Sequence, residues 1–331
     1  MSPALKRALG VLVVIGLFVA GRGPLQRITY ALPVSNDDAI LLLMARHIVQ
    51  GELATTLWNQ PYNGALDAYL LAPGLLLGSH HAVFRAYQTL LALLLVVLAG
   101  LLARRVAGDP VAGWAAAGLA AFGTPYMALM AATGPPPNFL MPLVTGFPLL
   151  AALRGFEPGL PRLRPWALVA LGVACGLAVW NSSLAIPAFT GMAVGLALAG
   201  LRPARSTLWF LPGFAIGASP LQIARWVGAS GSAVVTAASA VTATRPRWLW
   251  GSGVSDVLRA ASGLLGFEPP LVVDGPERAV LPLGLMLLLG AVLLAAVALG
   301  VRSRRALPLL FWGGALAGAF ALSRRTNGDE V

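Results

Sequence analysis

Seven apolar stretches of this sequence contain no charged residue, at 8–21, 86–103, 110–153, 165–201, 206–224, 279–301 and 306–323. A charge at mid-bilayer costs about 2.5 to 3.5 kcal/mol on insertion scales, so stretches of this kind mark where a chain can cross a membrane. Two of the seven are double length. The interval at 110–153 breaks at Gly134-Pro135-Pro136-Pro137-Asn138 and the one at 165–201 breaks at Asn181-Ser182-Ser183, each too polar or proline-rich to continue a helix. Seven stretches, two of them divided, predict nine membrane spans. Composition agrees: 58% of residues are hydrophobic and 11% charged, against roughly a quarter charged in a soluble domain. With a mean hydropathy of +0.79, the chain has more apolar surface than one soluble core can bury.

The same reading excludes several classes. A net charge of +11 would suit nucleic acid only if the basic residues clustered on a solvated face. Here they punctuate apolar runs, so nucleic acid is not expected as a partner. A single cysteine, Cys175, inside an apolar run rules out a disulfide framework within the chain. No tandem repeat or soluble domain stands out, and residues 1–331 read as one membrane module.

Lysine and arginine accumulate in the short loops on the cytoplasmic side of membrane proteins. With the N-terminus cytoplasmic, the inner segments hold Lys6, Arg7, Arg104, Arg105, Arg154, Arg162, Arg164, Arg202, Arg205, Arg302, Arg304 and Arg305, which is 12 of the 23 basic residues. Ten of the twelve acids, all but Asp109 and Glu157, then lie outside, mostly in two long segments at 22–85 and 225–278. Two borderline stretches, 68–77 and 226–244, read as surface or interfacial segments, because either one as a span would turn Arg302-Ser303-Arg304-Arg305 outward. The first span reads as an uncleaved anchor in the plasma or inner membrane. Residues near Asn327 are expected outside.

Within the first outer loop, Ser35 followed three residues later by Asp38 forms a capping box ahead of the apolar run from Ala39 to Met44. The predicted helix runs to about Gln50 and stops at Gly51, a residue suited to a left-handed C-terminal position. Asp37 and Asp38 then sit at the positive end of the helix, where carboxylates are stabilised. In the second outer loop, Trp248 and Trp250 precede apolar residues at helical spacing from Val254 to Leu265, which predicts a short interfacial helix over 254–266. Asn181-Ser182-Ser183 matches a glycosylation sequon, but its closeness to the membrane favours a tight hairpin turn.

Asp37-Asp38-Ala39, a helix ending near Gly51, then Gln60-Pro61-Tyr62-Asn63-Gly64 and an acid, Asp67, before an apolar segment with Pro73 resemble the first periplasmic loop of GT-C glycosyltransferases. The nearest group is that of the bacterial protein O-mannosyltransferases and lipid A aminoarabinose transferases. The resemblance implies an all-α polytopic bundle of about nine transmembrane helices, with interfacial helices in the first and a later outer loop. It also implies an enzyme that moves a sugar from a polyprenyl-phosphate donor to a hydroxyl of a glycan, lipid or protein acceptor. Carried over residue by residue, Asp37 and Asp38 are the catalytic acid pair, and Asp67 binds substrate with Gln60 and Tyr62 of the turn before it. Positive charge is also needed near the departing phosphate; Arg46, Arg85, Arg225, Arg245, Arg247, Arg259, Arg278, Arg324 and Arg325 all lie outside, sequence does not choose among them, and Arg245 is taken as a substrate-binding candidate. Members of the family continue past the point where this sequence stops, with further spans and an Arg-Tyr motif, so a short or incomplete member is expected.

No cofactor is required by this reading, although carboxylates with water leave a divalent metal open. His47, His80 and His81 lack the spacing of a histidine metal site. The competing readings are a polytopic transporter and a non-catalytic lipid-handling relative with the same fold. Transporters commonly place ionisable groups at mid-membrane and repeat one half of the chain in the other; this sequence has neither an acid inside a span nor related halves.

Overall fold

The computed structural model describes residues 3–30, 36–58, 60–123, 137–156, 164–182, 185–200, 208–226 and 305–323. These residues are almost entirely helical: α1 (Pro3–Tyr30), α2 (Asn36–Val49), α3 (Leu66–Leu71), α4 (His80–Ala107), α5 (Pro110–Phe122), α6 (Pro137–Ala152), α7 (Pro165–Asn181), α8 (Ala185–Leu198), α9 (Phe210–Trp226) and α10 (Leu307–Ser323). A two-stranded antiparallel hairpin, β1 (Thr56–Leu57) and β2 (Gln60–Gly64), interrupts them between α2 and α3. Single 3₁₀ turns extend α3 (Ala72–Leu76) and α6 (Leu153–Phe156).

Helix boundaries follow local chemistry. α4 starts where the Ser79 hydroxyl accepts the Ala82 N–H at 3.4 Å, and stops at Gly108, whose φ of 71° needs a residue without a Cβ. The next residue, Asp109, caps α5, accepting from the N–H groups of Val111 at 3.0 Å and Ala112 at 3.4 Å, and Pro110 fits the first helical position. The predicted helix after Asp38 is present as α2, and Gly51 follows it with φ 91°. The break at Asn181 separates α7 from α8, and the borderline stretch 68–77 is a short helix and a 3₁₀ turn. The interfacial helix expected over 254–266 and the capping residue Ser35 lie outside the described residues.

Two boundaries depart from the reading of the sequence: α5 ends at Phe122, ahead of the break expected at 134–138, and α1 runs long. The charge-free stretch 8–21 suggested a short first span, yet α1 continues past Arg22 for another two turns. Arg22 does not end the helix because its charge is placed: it is buried, its guanidinium lies 5.0 Å from the centre of the Phe18 ring, and it donates to the carbonyls of Ala121 at 3.2 Å and Ala120 at 2.9 Å. Those carbonyls end α5 without intrahelical partners, at the negative end of its dipole.

Among the described residues, α4 is the one helix long and apolar enough to cross a membrane. Its 28 residues span about 42 Å at 1.5 Å per residue, against a hydrocarbon core of about 30 Å. α1 is as long, but its apolar part, Ala8–Pro24, is shorter, as are the other apolar helices. Helix pairs meet through glycine. A Cβ on Gly172 or Gly176 of α7 would fall on the carbonyl oxygen of Phe210 or Phe214 of α9, and one on Gly213 or Gly217 of α9 would fall on that of Val169 or Val173 of α7. Each helix thus carries two glycines four residues apart, which bring the two backbones into contact. α8 alone supplies the pair in its contact with α10, setting Gly191 and Gly195 against Phe311 and Pro308.

Candidate functional site

The acids of the first long loop gather in one compact unit. α2, the hairpin and α3 pack over the N-terminal end of α4 and the C-terminal end of α7, around a core that includes Leu41, Met44, Ala45, Leu71, Phe84 and Trp180. Polar side chains are buried in the same layer: Asp38 and Asp67 at 1% exposure, Gln88 at 1% and Arg85 at 4%. Buried charges of this kind persist only where partners hold them.

Asp67 sits in the first turn of α3 and joins three elements. The Tyr87 hydroxyl of α4 donates to its Oδ1 at 2.8 Å, and the Asn181 amide of α7 donates to its Oδ2 at 3.4 Å. Burial pushes the Asp67 carboxyl up to about 6, while the hydrogen bonds from Tyr87 and Asn181 pull it down. The desolvation of a fully enclosed carboxylate outweighs two donors.

Further contacts staple the hairpin to α7. Asn63 and Ser182 form an isolated antiparallel bridge, and the Trp180 indole N–H donates to the Thr55 carbonyl at 2.7 Å. The Tyr69 ring lies 6.0 Å from that of Trp180, and its hydroxyl accepts the Ala54 N–H at 3.2 Å. Gly64 is required here, because a Cβ would stand 2.5 Å from the Trp180 carbonyl oxygen and 3.0 Å from Asn181 Cα. The turn at Asn181 is therefore both a helix end and a ligand of the loop, and its amide is engaged with Asp67 at 3% exposure. That burial leaves no access for glycosylation in the folded protein.

Trp180→Phe removes the indole donor and strands the Thr55 carbonyl. The expected result is a loss of about 1 to 3 kcal/mol, read as a lower midpoint of thermal unfolding in detergent.

The residues singled out in the sequence fall as follows. Asp37 and Asp38 lie in the first turn of α2 by backbone position, and Asp38 is buried; the side chain of Asp37 is outside the described residues. Gln60 and Tyr62 lie on β2, within a few residues of Asp67, and their side chains are likewise outside the description, as is the whole of Arg245. Asp67 is brought to the centre, but with both oxygens engaged it can touch a sugar only after the clamp opens. His47 lies on α2, its Nδ1 2.6 Å from Glu52 Oε2 and its ring 5.2 Å from that of Trp58. Among the described residues, no group of three or more His, Cys, Asp or Glu side chains is arranged to hold a metal ion.

Tyr87, Gln88 and Asn181 were not singled out as site residues, although each is a polar residue in or beside an apolar run. Polar residues in such runs need partners, and that was the available signal. Arg85 bonds Gln88 one turn on, through Nη1 to Oε1 at 3.0 Å. No protein-family model, curated protein or solved structure matches this chain.

Proposed function

We propose that the chain is a multi-pass integral-membrane glycosyltransferase, moving a sugar from a polyprenyl-phosphate donor to an acceptor hydroxyl on the extracytoplasmic side. The observation that carries this reading is the unit formed by residues 36–76, which seats an acid pair at a helix N-terminus and a third, buried acid on the ends of two apolar helices. The outward surfaces of the helices support a bilayer around it: Leu12 is 64% exposed, Leu119 78% and Ile216 61%. Lipid, not water, is the solvent that tolerates such faces.

In this reading the nine-span topology holds, and the loop faces outward. Asp37 accepts the proton of the acceptor hydroxyl as its oxygen bonds the anomeric carbon. The bond from that carbon to the phosphate oxygen breaks, and polyprenyl phosphate leaves with a charge that a cation stabilises. Arg245 of the second outer loop is one candidate for that cation among the outward arginines, and Gln60 and Tyr62 are candidates to orient the sugar.

Membrane vesicles given a radiolabelled polyprenyl-phosphate sugar test the function. Label appearing covalently on an acceptor supports it; label crossing the membrane unchanged supports a transporter. The topology has its own test. A reporter active only in the cytoplasm, fused after Gly328, is expected to be silent, and an active fusion contradicts an odd number of spans.

A further inference from the structure

We infer that Asp67 is a proton-responsive latch that fastens the β1–β2 hairpin and α3 to the ends of α4 and α7. The geometry is that of a clamp. One carboxyl, carried on the helix that follows the hairpin, is held on Oδ1 by α4 and on Oδ2 by α7. The neighbouring contacts, the Asn63–Ser182 bridge and the Trp180–Thr55 bond, close on the same end of α7. Opening the loop must expose Asp67, and exposing Asp67 removes its two bonds to the bundle.

That exchange is coupled to protons. In place, burial holds the carboxyl at about 6; released into water it returns to its ordinary 3.8. A group held higher in the closed state than in the open one contributes stability that is complete below 3.8 and is lost as pH rises through about 6. The latch therefore tightens on acidification and loosens toward neutral pH. Ionisable groups on the elements packed against α3 are His80, His81, Arg85, Tyr87, Arg104 and Arg105 of α4, Asp37, Asp38, Arg46 and His47 of α2, and Cys175 of α7, with Tyr69 on α3 itself. Of these, Tyr87 bonds Asp67 directly, and whatever the others contribute remains when Asp67 is replaced.

The inference goes beyond sugar transfer and does not rest on it, since its test reads amide exchange. In the full-length protein in detergent, amide protection over residues 60–71, corrected for intrinsic exchange rates, is expected to fall about tenfold between pH 5 and pH 7.5. Asp67→Asn should flatten that dependence. Should Asp67→Asn fail to fold, Tyr87→Phe keeps the carboxyl and removes a donor that favours its ionised form, so the midpoint should move above that of the wild type. Equal protection at both pH values in the wild type overturns the latch. So does an unchanged pH dependence in Asp67→Asn, or a midpoint in Tyr87→Phe that stays put or falls.

Discussion

Replacing Asp37 by Asn is expected to lower single-turnover sugar transfer by about 100-fold or more, the scale of losing a general base, while the thermal midpoint stays close to that of the wild type. The substitution keeps the shape of the side chain and removes its charge and basicity. Asp37 lies in the first turn of α2, where a helix dipole stabilises a carboxylate and so weakens it as a base. Its contribution must then come from placement against the acceptor hydroxyl more than from basicity. Asp38→Asn should behave differently. Asp38 is 1% exposed, so its replacement should reduce stability as well as transfer. If Asp37→Asn transferred normally while Asp67→Asn abolished transfer, the base would belong to the turn between Tyr62 and Asp67, and the role assigned by resemblance to the acid pair would be wrong.

Valine at Gly176 should have the second large effect. The obstacle it meets is backbone: the Phe214 carbonyl and, 2.7 Å from the new Cβ, the Ala218 nitrogen. A flexible side chain could swing away, but a helix backbone must move as a whole, so α7 and α9 would separate. Overpacking typically costs about 1 to 3 kcal/mol, and this site belongs at the upper end, with a fall of several degrees in thermal midpoint. The displaced helix is α7, which ends in Trp180 and Asn181, so the same substitution should also loosen the loop. Gly314→Val on α10 is the control. A Cβ there meets nothing within 4 Å, and its midpoint should be nearly unchanged. Equal effects at the two positions would mean that the close approach of α7 and α9 contributes little.

Helix ends governed by local chemistry were legible: Gly51 beyond α2 and the break at Asn181 stand where expected, because a left-handed turn or a polar interruption acts within a few residues. What was not legible depends on distant partners. Arg22 looked like the end of a span, since nothing in residues 8–30 tells that the carbonyls of Ala120 and Ala121 are waiting for it. Neighbours in sequence make Asp37 and Asp38 the catalytic pair and Asp67 only a substrate-binding acid. Its burial between Tyr87 and Asn181 joins positions 20 and 114 residues apart, and no local pattern announces that. The hairpin was hidden for a similar reason. Its strands of two and five residues are held by a bridge to Ser182 and the Trp180–Thr55 bond, contacts that exist only once α7 is in place.

The most direct test of the central claim uses the purified, reconstituted protein, a polyprenyl-phosphate sugar and a range of hydroxyl acceptors, with the products followed by mass spectrometry. Free polyprenyl phosphate should appear in step with one glycosylated acceptor, mole for mole, and both should be lost in Asp37→Asn. A donor left intact with every acceptor, or consumed equally by wild type and Asp37→Asn, would contradict the assignment of this loop as a sugar-transfer site.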